Sequence, residues 1–194
     1  MGKIVISENI SIDGVVQDPT GELESGRGNW FTLISAEDRA AWAEVEVAEA
    51  LAAEALLMGR RSHDWFVGRG WASRTDVWGE RLRALPKYVV SSSALDGPEW
   101  ANSTVLKGGA VEEVTRLKRQ VAGDIVVYGS GRLAHTLLAH DLADELRLMT
   151  YPVVVGKGAR LYPETTAMKP LRLVETRTVG TALALLTYRS VRGT

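Results

Sequence analysis

Asp124-Ile125-Val126-Val127-Tyr128-Gly129-Ser130-Gly131-Arg132-Leu133 decides the class of fold. An apolar, β-branched run stops at Gly-Ser-Gly, and a second apolar segment, Leu133 to Ala139, follows with helical character. A strand without polar alternation is buried on both faces, as in a parallel sheet covered by helices. Two more segments end the same way. Ala55 to Met58 closes at Gly59-Arg60-Arg61-Ser62, and Tyr88-Val89-Val90 closes at Ser91-Ser92-Ser93. Val111, Val114, Leu117 and Val121 recur at helical spacing between Tyr88-Val89-Val90 and Ile125 to Tyr128.

Outward from there the alternation continues. Lys3 to Ile6 predicts a first strand, followed by a turn at Ser11-Ile12-Asp13-Gly14 and a polar, Gly-rich loop from Gln17 to Gly28. Ser35 with Asp38 three residues on resembles a capping box, and Ala41, Val45, Ala48 and Ala52 give the apolar stripe of the helix it opens. Glu37, Asp38, Glu44, Glu46 and Glu49 on that helix read as a solvated face. Glu145 to Tyr151 predicts a late strand. Leu171 to Thr178 and Ala182 to Arg189 flank Val179-Gly180-Thr181 as a terminal hairpin. The pattern is α/β, one domain over residues 1–194, with a mixed, mostly parallel sheet and a C-terminal antiparallel hairpin.

Composition narrows the function. Lys plus Arg is 23 and Asp plus Glu 24, giving a net charge of −1 and no global attraction to nucleic acid or acidic membrane. The absence of Cys removes disulfides, thiolate catalysis and Cys-ligated metals, and fits a reducing cytoplasm. The stretch Ala48 to Met58 is too short and too charged, through Glu49 and Glu54, to span a bilayer. His63, His135 and His140 lack metal-ligand spacing, so no metal is expected. P-loop and nucleophile-elbow motifs are absent.

In open α/β sheets ligands bind beyond the carboxyl ends of the strands. The three strand ends offer backbone N–H groups, hydroxyls and guanidinium groups, and two of them open helices, which favours an anion. Arg60 and Arg61 suit a phosphate clamp, which favours NADPH over NADH. The six tryptophans include Trp30, placed to stack on a flat heterocycle, and Trp65, Trp71 and Trp78, candidates for a dimer surface.

In order, these segments resemble the dihydrofolate reductase-like superfamily, and within it the C-terminal reductase domain of bacterial riboflavin-biosynthesis enzymes and its stand-alone members. The likeness rests on Ser11-Ile12-Asp13-Gly14, Leu57 to Ser62, Lys87 to Ser92, Asp124 to Leu133, Leu142 to Leu148 and Pro152 to Gly158. It implies a three-layer fold, a homodimer and a cytoplasmic, NADPH-dependent reductase. It further implies that Gly59, Arg60, Arg61 and Ser62 meet the adenosine-side phosphates and that Ser91 and Ser92 flank the ribose. Gly129, Ser130, Gly131, Arg132 and Leu133 would cradle the pyrophosphate, with the nicotinamide near Gly14 and Val15. Asp13 and Thr150 would be the catalytic pair, with Trp30 and Pro152 on the substrate. The expected reaction is hydride transfer to a pyrimidine- or pterin-like substrate, with 5-amino-6-(5-phosphoribosylamino)uracil first and dihydrofolate second. Dihydrofolate reductases carry an acid on the first helix, and none of the acids here falls at a matching offset. The zinc deaminase that bifunctional riboflavin enzymes carry has no counterpart in this chain. A nucleotide-binding module without turnover is the competing class.

Overall fold

The computed structural model describes residues 1–21, 28–95, 97, 100–162 and 168–191. Part of the Gly-rich loop, residues 22–27, lies outside them. The strands are β1 Lys3–Ser11, β2 Ala55–Gly59, β3 Lys87–Val90, β4 Ser103–Leu106, β5 Asp124–Tyr128, β6 Glu145–Tyr151, β7 Leu171–Val179 and β8 Leu183–Ser190. The helices are α1 Ala36–Ala52, α2 Arg60–Gly68, α3 Val77–Ala84, α4 Ala110–Gln120 and α5 Gly131–Ala139. The strands form one sheet in the order β4-β3-β2-β5-β1-β6-β8-β7. β2 pairs in parallel with β3 and β5, and β3 with β4, whereas β8 runs antiparallel to β6 and β7.

The chain divides into two compact units, Met1–Ile6 with Glu46–Asp144, and Ser7–Val45 with Glu145–Thr194. In the first, Val5, Leu56, Met58, Val89, Trp100 and Val126 build the core against Ala50 of α1 and Ala53 just beyond it. Arg81 of α3 caps the end of α1, donating to the carbonyls of Ala50 (3.0 Å) and Ala53 (2.6 Å). Lys87 is fully buried and does the same for α3. Its ammonium donates to the carbonyls of Leu82, Arg83 and Leu85 at 2.7, 3.0 and 2.7 Å and lies 4.9 Å from the Trp100 ring centroid. All three of its protons are used, so burial is tolerated without an acidic partner.

Trp71 and Trp78 are spent inside this unit. They meet edge to face at 4.8 Å, Phe66 packs on Trp71 at 5.5 Å, and the Arg74 guanidinium covers Trp71 at 4.1 Å. Of the tryptophans expected to form a dimer surface, Trp65 alone is exposed; Trp71 and Trp78 are half-buried.

In the second unit, Trp30, Ile34, Met149, Tyr151, Val179, Leu183 and Leu185 form a core with Trp42 and Val45 of α1. The start of α1 is fixed by Asp38, which is 2% exposed. The Ser35 hydroxyl accepts from the Asp38 amide (3.0 Å) and donates to its carboxylate (2.7 Å). The same carboxylate accepts from the amides of Thr181 (2.6 Å) and Ala182 (3.2 Å) in the β7–β8 turn. Those bonds, led by the Thr181 amide, hold Asp38 down to a pKa of about 2. Gly180 sits there with φ +61°, and a Cβ would meet the Asp38 carboxylate at 2.3 Å.

The expected stripe of α1 is corrected. Ala48 and Ala52 are exposed, and Asp38, Glu46, Glu49, Ala50 and Ala53 are buried. Of the acids assigned to a solvated face, Asp38, Glu46 and Glu49 thus lie in the interior, whereas Glu37 and Glu44 are exposed. α3 and β4 escaped the sequence reading. Gly79 interrupts the helical pattern of α3, and β4 is a four-residue edge strand.

Candidate active site

The three strand ends singled out in the sequence meet in the first unit. The amide of Gly59, ending β2, donates to the Ser130 hydroxyl at 3.0 Å, and that hydroxyl donates to Ser62 Oγ at 2.9 Å. Ser130 takes a left-handed conformation, φ 61° and ψ 40°, to deliver its side chain there. Such a backbone is costly for a residue other than Gly, and here it is held by the bonds that join β2 to β5. Arg60 ties in the third end. Its Nε binds both oxygens of Asp64 (3.0 and 2.8 Å), and its terminal nitrogen donates to Ser93 Oγ (3.2 Å) and the Ala94 carbonyl (2.5 Å). Ser91 Oγ closes its own turn, accepting from the Ser93 amide and donating to the Ser93 carbonyl.

What this builds is a pair of helix starts with no side-chain cap. α2 follows Gly59 and α5 follows Ser130, and neither N-cap residue bonds the first turn through its side chain. A Cβ added at Gly59 or Gly131 meets nothing within 4 Å. The backbone therefore faces open space at both glycines, with first-turn N–H groups beside it. This arrangement accommodates an anion. Leu133 differs from its expected role at the side-chain level, because it is 6% exposed and packs inward. Arg132 and Ser92 are exposed. Arg61 is also exposed, with no hydrogen bond or ion pair among the described residues.

The substrate-side residues belong to the second unit. Asp13 was expected to bind substrate or deliver a proton, and its surroundings correct the second role. Oδ1 accepts from Ser11 Oγ (2.7 Å) and the Val155 amide (3.0 Å), and Oδ2 accepts from the Gly156 amide (2.8 Å). Arg160 adds a bond to the Asp13 carbonyl and a guanidinium 3.9 Å from Oδ2. The Ser11 hydroxyl first, then the Val155 amide, hold the carboxyl at a pKa of about 2. It carries no proton to give near neutrality. Its geometry is that of an anchor for the segment after β6. Gly14, with φ +85°, and Val15 complete the turn, and Val15 is wholly buried and bridged to Arg160.

Trp30 is likewise corrected. It is 2% exposed, packs edge to face on Tyr151 at 5.0 Å, and donates to the Gln17 carbonyl at 3.2 Å. No open ring face is left for a heterocycle. Thr150 is set by strand parity. Met149 and Tyr151 join the core with Trp42 and Val45 of α1, so Thr150 points to the opposite sheet face. Pro152 is exposed at the end of β6.

Glu8 was missed altogether. Asn9 faces α1, accepting from Trp42 Nε1 at 2.9 Å, so Glu8 faces the other side of the sheet. Its Oε1 is buried without a hydrogen-bond partner among the described residues. Burial lifts its pKa to about 8. The signal was present, because Ile4, Ile6, Glu8 and Ile10 form one period-2 row with a single acid in it. The folded state keeps this proton from about pH 4.5 to about pH 8, where the unfolded state has lost it. Stability should therefore fall as pH rises through that window, by up to ~1.4 kcal/mol per pH unit. Urea unfolding at pH 5 and pH 8 checks this: Glu8→Gln should match the parent at pH 5 and exceed it at pH 8. Equal pH slopes would remove the assignment.

The family model of the RibD C-terminal domain matches residues 2–185. The chain belongs to the RibD C-terminal domain family. Within reach of that family, the uncharacterized protein YyaP of Bacillus subtilis (strain 168) is 30% identical over 141 residues, covering 70% of this chain and 73% of YyaP. A protein of Shewanella sp. PV-4, described provisionally as a riboflavin biosynthesis protein, superposes with a TM-score of 0.71 at 19% identity, over 98% of this chain and 99% of that one. The bifunctional diaminohydroxyphosphoribosylaminopyrimidine deaminase/5-amino-6-(5-phosphoribosylamino)uracil reductase of Thermotoga maritima gives 0.62 at 15% identity. The match covers 98% of this chain but 57% of that protein. Dihydrofolate reductase of Enterococcus faecalis, in complex with NADP(H), gives 0.56 at 17% identity, over 97% and 96% of the two chains. These likenesses establish a dihydrofolate reductase-like α/β fold for this member of the RibD C-terminal domain family. Among the described residues no helix is long and apolar enough to cross a membrane.

Proposed function

We propose that the chain acts as one NADPH-dependent reductase domain. The observation that carries this reading is the pair of uncapped helix starts, at α2 and α5, locked side by side by Ser130 beneath open backbone at Gly59 and Gly131. Two adjacent dipole ends, neither capped by its N-cap side chain, suit the two phosphates of a dinucleotide. When bound, the cofactor supplies the hydride, and the protein supplies position and electrostatics. Gly129, Ser130, Gly131 and Ser62 would receive the pyrophosphate, and Ser92 the ribose. Asp13 would hold the Val155–Gly156 backbone in place beside the substrate groups Thr150 and Pro152.

The phosphate clamp passes from Arg60 to Arg61. Arg60 is already committed to Asp64, Ser93 and Ala94, whereas Arg61 reaches solvent with its guanidinium open. A charged hydrogen bond to a 2′-phosphate contributes roughly 1.5–3 kcal/mol, about ten- to a hundredfold in affinity. Arg61→Ala should remove that much of the preference for NADPH over NADH in a fluorescence titration. Arg60→Ala should weaken both cofactors alike, by loosening the loop at Ser93. Equal affinities of the parent for the two cofactors would contradict the proposal.

For substrate we rank 5-amino-6-(5-phosphoribosylamino)uracil first and dihydrofolate second, from membership in the RibD C-terminal domain family. One observation favours the competing reading of a nucleotide-binding module without turnover: Asp13 is ionised and fully bonded. We also propose that the protein works as a homodimer.

A further inference from the structure

Glu8 is a carboxyl that no role above employs. Its Oε1 is sealed from solvent without a hydrogen-bond partner among the described residues, while the residue as a whole is half-buried. A buried polar atom left unbonded is costly, and one that persists asks for a group that completes the bond. Its neighbours point to the substrate. Glu8 on β1 and Thr150 on β6 lie on adjacent strands and on the same sheet face, the one away from α1. The two strands run on together beyond them, where the Ile12 amide donates to the Val153 carbonyl at 3.0 Å. Within this unit the same face presents Leu146, Leu148 and Thr150 from β6, and Tyr188, Leu186 and Ala184 from β8. Tyr188 is the one titratable group in those two rows, so they bring no cation to draw the proton off Glu8.

The reduction needs one proton with each hydride, and the cofactor supplies only the hydride. Asp13 and Asp38 of the same unit are held ionised, with pKa values of about 2, and Glu145 is paired with Arg147 and Arg189. Glu8, lifted to about 8 by burial, still carries its proton at neutral pH. We propose that Glu8 is the acid of the reduction, meeting the pyrimidine substrate beside Thr150 and giving its proton to the sugar ring oxygen O4′ as the ring opens. The step balances. The exocyclic nitrogen lone pair forms a C1′=N bond as the C1′–O4′ bond breaks, and O4′ takes the Glu8 proton to become a hydroxyl. Hydride then adds at C1′, and the C=N electron pair returns to nitrogen. Glu8 is left as a carboxylate and recovers a proton from water. The inference rests on the reductase reading above, and it draws the acid from β1 where dihydrofolate reductases draw theirs from the first helix.

Two measurements on the full chain test it. In the first, turnover of 5-amino-6-(5-phosphoribosylamino)uracil is followed against pH for the parent and for Glu8→Gln, which keeps the size and loses the acid. Glu8→Gln should lose about a hundred- to ten-thousandfold in kcat, with KM and NADPH affinity nearly unchanged. The parent's kcat/KM should fall about tenfold per pH unit above pH 8, and this limb should be missing in Glu8→Gln. In the second, infrared difference spectra are recorded without cofactor. The carbonyl band of a protonated carboxyl should be present in the parent at pH 7, absent in Glu8→Gln, and shifted when the pyrimidine is added. The circular-dichroism melt of the variant should stay cooperative, and if it fails to fold, the parent's pH limb and band shift decide. Glu8→Gln turning over at the parent rate, or a band that the pyrimidine leaves in place, would overturn the role of Glu8 and leave the reductase reading standing. A parent that oxidises no NADPH with this pyrimidine or with dihydrofolate would overturn both.

Discussion

Gly131→Val should lower the affinity for NADPH by about a hundredfold while leaving the melting temperature nearly unchanged. The expectation comes from the space around that residue. A Cβ at Gly131 meets no atom within 4 Å, so the folded chain has room for the new side chain. Gly131 is the first residue of α5, behind Ser130. A branched side chain there occupies the volume in which a phosphate would approach the first-turn N–H groups. Losing two charge-assisted bonds to those groups accounts for roughly 3 kcal/mol, about two orders of magnitude in affinity. The paired readout separates a blocked cradle from a damaged fold. Unchanged cofactor affinity would mean that the open backbone at Gly131 is not where the anion sits.

Asp13→Asn should lower turnover by ten- to a thousandfold, the usual range for a lost positioning or acid–base group, with NADPH affinity nearly unchanged. The carboxylate accepts at both oxygens, from Ser11, Val155 and Gly156. An amide keeps one acceptor and turns an NH₂ toward amide N–H donors. One of the Val155 and Gly156 bonds must break, and the segment after β6 shifts. The same geometry gives a pH test. Because the Asp13 pKa is held at about 2, turnover should show no acidic limb from this group across the neutral range. A limb near pH 4 that vanishes in Asp13→Asn would return Asp13 to a proton-handling role.

The fold was legible in the sequence because its strands end at punctuation. Gly59, Ser91 and Gly129 stop apolar runs, and each of those runs is a strand of the sheet. Ser35 and Asp38 marked the start of α1 correctly, and Ala41 and Val45 of the apolar stripe pack on the core, but Ala48 and Ala52 are exposed. Periodicity counts alanines as apolar and acids as exposed, whereas Asp38 is buried because the β7–β8 turn supplies it with N–H donors. Side-chain roles at the site were harder to read. Arg60 and Arg61 are equivalent in sequence, and Asp64 and Ser93 settle which one is occupied. Trp30 looked free because its partner, Tyr151, lies far away along the chain. Glu8 shows the opposite case, a local pattern with one acid in an isoleucine row that could have been read and was not.

An open cradle that serves hydride transfer, and not storage of a nucleotide, is tested most directly by incubating the purified protein with NADPH and 5-amino-6-(5-phosphoribosylamino)uracil and following both the loss of reduced cofactor and the mass of the pyrimidine. One NADPH should be oxidised for each substrate reduced, with the rate lost in Gly131→Val. Tight NADPH binding with no oxidation, for this substrate and for dihydrofolate, would contradict it and leave a nucleotide-binding module.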